Sequence, residues 1–123
     1  MDNDRYDLEE RLLDYAAAII RLVETLPASR AGNHVAGQLL RSGTSALPNH
    51  GEAQAAESRR DFIHKMKVCH KELNESKRWL RLIKRIPLLE EAQVGVLLKE
   101  SEELTRIFAS SIRTAEKNGG EGE

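Results

Sequence analysis

The chain has 123 residues, of which 32% are charged and 4% aromatic, and its formal net charge is −1. This length suits one domain, and the composition suits a helical bundle built on Leu, Ile and Ala. The acidic N-terminal segment is unlike a secretory signal, and no apolar run reaches the roughly 18 residues that a membrane span needs. A single cysteine, Cys69, allows no internal disulfide. We therefore expect a cytoplasmic protein without membrane association.

Apolar residues recur at alternating steps of four and three in four segments, as in amphipathic helices that pack in a bundle. Helix 1 is predicted over about 7–26, with Leu8, Leu12, Tyr15, Ile19, Leu22 and Leu26 on its buried face. It ends before Pro27, because proline disfavours helical geometry in the residue that precedes it.

Helix 2 is predicted over about 29–56, with Ser29 as its N-cap. Its expected buried face is small and partly polar, and five of its residues oppose an isolated helix: Gly32, Gly37, Gly43, Pro48 and Gly51. Each glycine costs ~1 kcal/mol relative to alanine, and the proline costs ~3 kcal/mol. Contacts with other helices or with another subunit must offset these costs.

Helix 3 is predicted over about 59–86, after Ser58, which with Asp61 three residues on resembles a capping box with a shorter acid. The range 59–85 holds ten of the nineteen Lys/Arg residues and three of the twenty Asp/Glu residues, so it carries a charge of +7. Its expected core positions are Phe62, Met66, Cys69, Leu73, Ser76, Leu80 and Ile83. A rotation of ~100° per residue places five cations in a narrow arc opposite that face. We call this set the basic ridge: Arg60, Lys67, Lys71, Arg78 and Arg85.

Helix 4 is predicted over about 88–117, after Pro87, with a stop signal at Asn118-Gly119-Gly120 and a disordered tail over 119–123. All three connections are short, which makes consecutive helices antiparallel neighbours. The predicted architecture is an all-α, up-down-up-down four-helix bundle over 1–118.

Two stretches together resemble a known family. Helix 2 contains RSGTSALPNHGE over 41–52, with an Arg-Ser start and a closing Asn-x-x-Glu, and helix 3 contains FIHKMK over 62–67 and KELNESKRWLRLI over 71–83. These resemble the bacterial four-helix bundle proteins first noticed in intervening sequences of large-subunit ribosomal RNA genes. The resemblance covers most of residues 7–115.

The resemblance implies a homopentamer of four-helix bundles. It also implies kinship with the accessory variability protein of diversity-generating retroelements, a pentamer that binds nucleic acid and works with a reverse transcriptase. RNA or DNA, and a reverse transcriptase, are therefore expected partners, and no small-molecule substrate is expected.

Arg41, Asn49 and Glu52 lie on one side of helix 2. Because buried amides and carboxylates need partners, we interpret these three residues as a polar network that fixes the helix register or a subunit contact. A direct functional role is the alternative.

No enzymatic site, metal site or cofactor is expected. His64 and His70 project about 120° apart on helix 3, and His34 and His50 have no metal-binding partner one turn further along helix 2. Cys69 lies on the core face of helix 3, where a small core residue is expected rather than a nucleophile. The sequence shows no glycine-rich phosphate loop after a strand and no nucleophile–base pair.

The basic ridge leaves two hypotheses open. Like charges at i,i+4, such as Lys67 and Lys71, destabilise a helix until something neutralises them. An external nucleic acid supplies phosphates for this role, which makes the protein a non-enzymatic, oligomeric nucleic-acid-associated module. Acidic groups on other helices or another subunit are the alternative, and they make the protein a structural or protein-interaction scaffold.

Overall fold

A computed structural model describes residues 2–86 and 91–122. Four α-helices occupy most of these residues: α1 (Asp2–Val23), α2 (Arg30–Gln54), α3 (Arg59–Arg85) and α4 (Glu91–Gly122). No strand occurs in the described ranges. The predicted all-α class is confirmed.

Each helix packs against the next one along the chain around a single core, and α4 also contacts α1, which closes the bundle. Contacts across the helix pairs show that consecutive helices are antiparallel. Glu52, near the end of α2, meets Lys65 near the start of α3, whereas Arg41 lies further back on α2 and meets Glu72 further along α3. The contact between α1 and α4 is the sparsest of the four neighbouring pairs in the described part of the chain.

The starts of α2 and α3 are fixed by the serines that the sequence indicates. The Ser29 hydroxyl accepts a hydrogen bond from the Gly32 amide at 3.0 Å, and the Ser58 hydroxyl accepts one from the Asp61 amide at 3.0 Å. Each serine thereby satisfies one of the amides that the first helical turn leaves without a partner.

Three helix ends differ from the prediction. The first helix begins at Asp2, before the predicted start at about residue 7. The first helix ends at Val23, where a turn begins. In this turn the Leu22 carbonyl accepts hydrogen bonds from both the amide and the hydroxyl of Thr25. The last helix continues to Gly122, past the stop predicted at Asn118 and into the range predicted as a tail. No described glycine adopts the left-handed conformation that a glycine helix stop requires. The predicted start of helix 4 at 88 lies outside the described residues.

The core is apolar with a few hydroxyl groups at its centre. Tyr15 of α1 lies between the helices, and its hydroxyl is 2.8 Å from the Ser76 hydroxyl of α3. Burial raises the pKa of Tyr15 to about 12. The fully buried large side chains come from all four helices: Leu12, Ile19, Leu39, His50, Met66, Leu73, Leu80, Ile83, Val94, Leu104 and Phe108.

One glycine of α2 permits a close approach of α1. A Cβ atom added to Gly43 would lie 2.8 Å from Cγ2 and 2.9 Å from Cγ1 of Ile19, which is fully buried. Ile19 is β-branched and has little rotamer freedom in a helix, so it cannot swing aside. The contacts within one chain therefore explain Gly43. In contrast, Cβ atoms added to Gly37 and Gly51 meet nothing within 4 Å.

We expect Gly43→Ala to lower the free energy of unfolding by about 1–2 kcal/mol, since the overlap with Ile19 outweighs the helix propensity of alanine. The matched control is Gly95→Ala on α4, where an added Cβ meets nothing within 4 Å. It should raise the free energy of unfolding by up to ~1 kcal/mol. Urea denaturation followed by circular dichroism measures both. Equal stabilisation by the two changes would contradict the close contact.

Candidate nucleic-acid interface

The third helix is strongly amphipathic, and its two faces differ in chemistry. One face enters the core through Met66, Cys69, Leu73, Ser76, Leu80 and Ile83, as the sequence predicts, and Phe62 is partly buried beside them. The opposite side is exposed, and all five members of the basic ridge lie there. Successive members lie four or seven residues apart, so the ridge extends over roughly 37 Å at 1.5 Å per residue.

The cations of α3 are not equally available. The Lys67 ammonium is 3.0 Å from a carboxylate oxygen of Glu116 on α4, and the Lys65 ammonium is 2.6 Å from Glu52 on α2. The four other ridge members form no ion pair with any described residue: Arg60, Lys71, Arg78 and Arg85. Intramolecular carboxylates therefore neutralise only part of the positive charge on α3.

The C-terminal end of α3 carries a positively charged groove. Its volume is about 550 Å³, and its walls are Arg78, Arg81, Leu82, Lys84 and Arg85. Two of these residues belong to the ridge, which therefore ends in an open, shallow region with four cationic side chains. Such a surface concentrates anions, because each charge adds to the local potential.

A second basic stripe, which was not predicted from the sequence, lies on α4. Lys99, Arg106 and Arg113 recur every seven residues, and all three are exposed. Arg113 lies one helical turn from Glu116, which pairs with Lys67, so the stripe borders the ridge. The seven-residue spacing was readable from the sequence. Because helix 4 has a net negative charge, a basic stripe was not expected on it.

The described aromatic residues do not form a platform for base stacking. Tyr15 and Phe108 are buried, and Phe62 packs partly against the core. Trp79 is half-buried, donates a hydrogen bond to Glu75 and packs edge-on against His34 at 5.8 Å between ring centroids. The surface of α3 can therefore bind a ligand through charged side chains, but its described aromatic residues provide no surface for base stacking.

Arg41, Asn49 and Glu52 make separate contacts. Arg41 donates to Glu72 at 2.9 Å and also to Glu75, both on α3, and Glu52 pairs with Lys65. The Asn49 amide instead bonds within α2, to the carbonyl and hydroxyl of Ser45. Arg41 and Glu52 thus connect α2 to α3 and align these helices, whereas Asn49 forms hydrogen bonds only within α2 among the described residues.

The cysteine and the histidines do not suggest a catalytic or metal centre. Burial raises the pKa of the Cys69 thiol to about 12, which disfavours the nucleophilic thiolate. Buried His50 meets the Glu9 carboxylate at 3.1 Å and the Gln54 amide at 3.2 Å. No group of three His, Cys, Asp or Glu side chains that would hold a metal ion occurs in the described part of the chain.

Within the described ranges, no helix is both long and apolar enough to span a membrane.

The model of the 23S rRNA-intervening sequence protein family matches residues 6–110 of this chain. The chain belongs to this family. The resemblance seen in the helix 2 and helix 3 motifs is thereby confirmed. The match includes the whole of α2 and α3, and therefore the basic ridge and the Arg41 contacts.

A solved structure shows the same fold. It is a protein of unknown function from the S23 ribosomal protein family of Bacteroides thetaiotaomicron VPI-5482, with 33% sequence identity and a TM-score of 0.80. The similarity covers 85% of this chain and 97% of that one. No curated protein matches the chain. The fold and the family are established by these similarities.

We expect Arg41→Met to lower the free energy of unfolding by about 1–2 kcal/mol, because it leaves the Glu72 carboxylate without its charged donor. That carboxylate side chain is only 12% exposed. The control is Lys67→Met, which removes the exposed Lys67–Glu116 pair and should cost less than about 0.5 kcal/mol. Thermal denaturation of both variants measures the difference. Equal losses would show that Arg41 does not align α2 with α3 as described.

Proposed function

We propose that this family member is a non-enzymatic, homo-oligomeric module, a pentamer, that associates with nucleic acid through the basic ridge of α3. The observation that carries the proposal is the set of exposed ridge cations that form no ion pair with a carboxylate in the described part of the chain: Arg60, Lys71, Arg78 and Arg85. The bordering stripe on α4, formed by Lys99, Arg106 and Arg113, extends the same surface.

Phosphates are the anions that suit this surface. Lys and Arg at regular spacing neutralise a phosphate backbone and release its counterions, which gives affinity without sequence specificity. The lack of an exposed aromatic platform among the described residues favours contact with a duplex backbone over stacking on unpaired bases. RNA is the first ligand to test, because the family name refers to an intervening sequence of 23S rRNA.

A nucleoprotein partner is compatible with the same surface. A reverse transcriptase is proposed only on the resemblance to the accessory variability protein, and the genomic neighbours of the coding sequence test that partner. The absence of enzymatic activity is proposed because Cys69 is buried with a raised pKa and lies in the core rather than in a cleft.

The alternative function is a structural or protein-interaction scaffold without affinity for nucleic acid. The ion pairs of Lys65 and Lys67 favour it, since each removes one cation of α3 from the charge available to an external partner. In this alternative, carboxylates of a neighbouring subunit or another protein neutralise the rest of the ridge.

The experiment compares two double variants with the same change in charge. Lys71→Gln with Arg78→Gln removes two ridge cations, and Arg21→Gln with Arg30→Gln removes two exposed cations from the last turn of α1 and the start of α2. Binding to a labelled RNA duplex and a labelled DNA duplex is measured by fluorescence anisotropy over a series of salt concentrations.

The ridge double variant should bind more weakly to every sequence. The slope of log affinity against log salt should become shallower by ~1.8 on duplex DNA, at ~0.9 per lost phosphate contact. The control should keep most of the affinity and the slope. Wild-type protein that does not bind at low salt would refute the proposal in favour of the scaffold, and equal losses in both variants would refute the ridge as the binding surface.

A further inference from the structure

The cations on the outer surfaces of α3 and α4 repeat at the same interval. Within the ridge, Lys71, Arg78 and Arg85 lie seven residues apart, and the three cations of the second stripe on α4 have the same spacing. Seven residues are close to two full helical turns, so successive side chains point in nearly the same direction at intervals of ~10.5 Å. Each helix therefore presents a nearly straight row of positive charge. We call the row on α4 the α4 stripe: Lys99, Arg106 and Arg113.

Both rows lie near the boundary between α3 and α4. Lys67, which shares the arc of the other ridge members, pairs with Glu116 of α4 at 3.0 Å. On α4, Glu100 instead pairs with Arg11 of α1 at 2.8 Å, so α1 borders that side of the helix. A rotation of ~100° per residue places the α4 stripe between Glu100 and Glu116, nearer to Glu116. The two rows are therefore neighbours on one surface of the bundle.

A buried contact fixes the level at which α3 and α4 pass each other. The Tyr15 hydroxyl is 2.8 Å from the Ser76 hydroxyl of α3, and it also interacts with the Ser101 hydroxyl of α4. Both serines are fully buried. Because they reach the same hydroxyl, they lie at one level of the bundle. The levels of the other residues follow by counting along the two antiparallel helices.

Two cations of the ridge are level with two cations of the α4 stripe. Lys71 comes five residues before the buried serine of α3, and Arg106 comes five residues after the buried serine of α4. Arg78 and Lys99 lie two residues from the same serines, in the opposite direction. All four side chains are exposed, and none forms an ion pair with a described residue. We call the pairs Lys71 with Arg106, and Arg78 with Lys99, the two rungs.

The separation of the two rows suits the two strands of a duplex. The axes of packed helices lie roughly 8–10 Å apart, so the ridge and the α4 stripe are separated by about 10 Å. A single strand has one row of phosphates, which follows one row of cations. A duplex presents a row of phosphates on each side of a groove, and the grooves of B-DNA are about 6 and 12 Å wide. The minor groove of A-form RNA is wide and shallow. The surface of α3 and α4 can therefore contact both strands at once.

We propose that the α4 stripe makes this protein selective for double-stranded over single-stranded nucleic acid, because the ridge contacts the phosphates of one strand while the stripe contacts those of the other. This inference rests on the proposed function and assigns the specificity of the same surface. The two rungs lie at the centre of the contact. Selectivity arises from the spacing of the rows rather than from base readout. RNA and DNA duplexes share this chemistry, and the experiment distinguishes them.

One carboxylate lies on the α4 stripe itself. Glu102 is exposed, three residues after Lys99 and four before Arg106, and it forms no ion pair with a described residue. Residues at these spacings are neighbours on a helix surface, so Glu102 lowers the positive potential beside both cations. Its removal should strengthen the contact with the second strand.

The test removes the α4 members of both rungs with Lys99→Gln and Arg106→Gln in one protein. The matched control, Arg21→Gln with Arg30→Gln, changes the charge equally but lies outside both rows. Fluorescence anisotropy over a series of salt concentrations measures binding to three probes: a short RNA duplex, a DNA duplex of the same length and a single-stranded oligouridylate. Circular dichroism should show unchanged helical content, since these side chains are exposed and glutamine is a good helix former.

The α4 double variant should lose duplex affinity selectively. On duplex DNA the salt slope should become shallower by ~1.8, at ~0.9 per lost contact, which corresponds to roughly 60-fold weaker binding at ~0.1 M salt. The affinity for oligouridylate should change by less than about threefold, because a single strand still follows the ridge. The control should keep most of its affinity for all three probes.

A second variant should bind more tightly, so its effect cannot come from misfolding. Glu102→Gln removes the carboxylate from the α4 stripe and should raise duplex affinity by about threefold or more, with a smaller change for oligouridylate. The matched control is Glu24→Gln, which removes an exposed carboxylate just after α1. It should leave the preference for duplex over single strand unchanged.

The possible failures are distinguishable. Wild-type protein that binds none of the three probes would refute the proposed function itself. Wild-type binding with equal losses on duplexes and oligouridylate in the α4 double variant, or with no loss on any probe, would refute only the assignment of the two strands to two helices. Unchanged duplex binding of Glu102→Gln would also count against that assignment. A selective loss confined to the RNA duplex or to the DNA duplex would support the proposal and identify the helical form that fits the rows.

Discussion

The close approach of α1 to α2 at Gly43 is the constraint on which the rest of the bundle depends. Ile19 fills the space that a side chain at Gly43 would occupy, and this contact sets the separation of the two helices. Because α1 and α2 lie so close together at this point, little space remains between them for neighbouring side chains such as Ile20 and Leu40. These residues stay partly exposed to solvent.

The second helix also determines where α3 lies. Arg41 reaches Glu72 and Glu75, and Glu52 reaches Lys65, so two charged contacts hold α3 in one register against α2. A shift in register would separate Arg41 from Glu72 and leave a mostly buried carboxylate without its charged donor, which is unfavourable. Because the core face of α3 is then fixed, its ridge must point away from the bundle. The direction of the positive charge is thus a consequence of packing around α2.

Much of the fold was readable from the sequence because apolar periodicity and serine caps are local signals. They predicted the number of helices, both caps and the core face of α3. The sequence could not distinguish Gly43 from Gly37, since the difference is whether Ile19 of another helix lies beside the glycine. For the same reason, the neutralisation of Lys67 by distant Glu116 was not predicted, and neither was the burial of His50.

The central claim is that copies of this chain assemble and bind nucleic acid together. Analytical ultracentrifugation of the wild-type protein with a fluorescent RNA duplex tests it most directly, with protein and duplex followed at separate wavelengths. The protein alone should have a mass that is a multiple of 13.8 kDa. At low salt the duplex should sediment with the oligomer, and added salt should release the duplex, since salt screens the contacts between cations and phosphates. A protein that sediments as one chain, beside a duplex whose sedimentation is unchanged at low salt, would contradict the account.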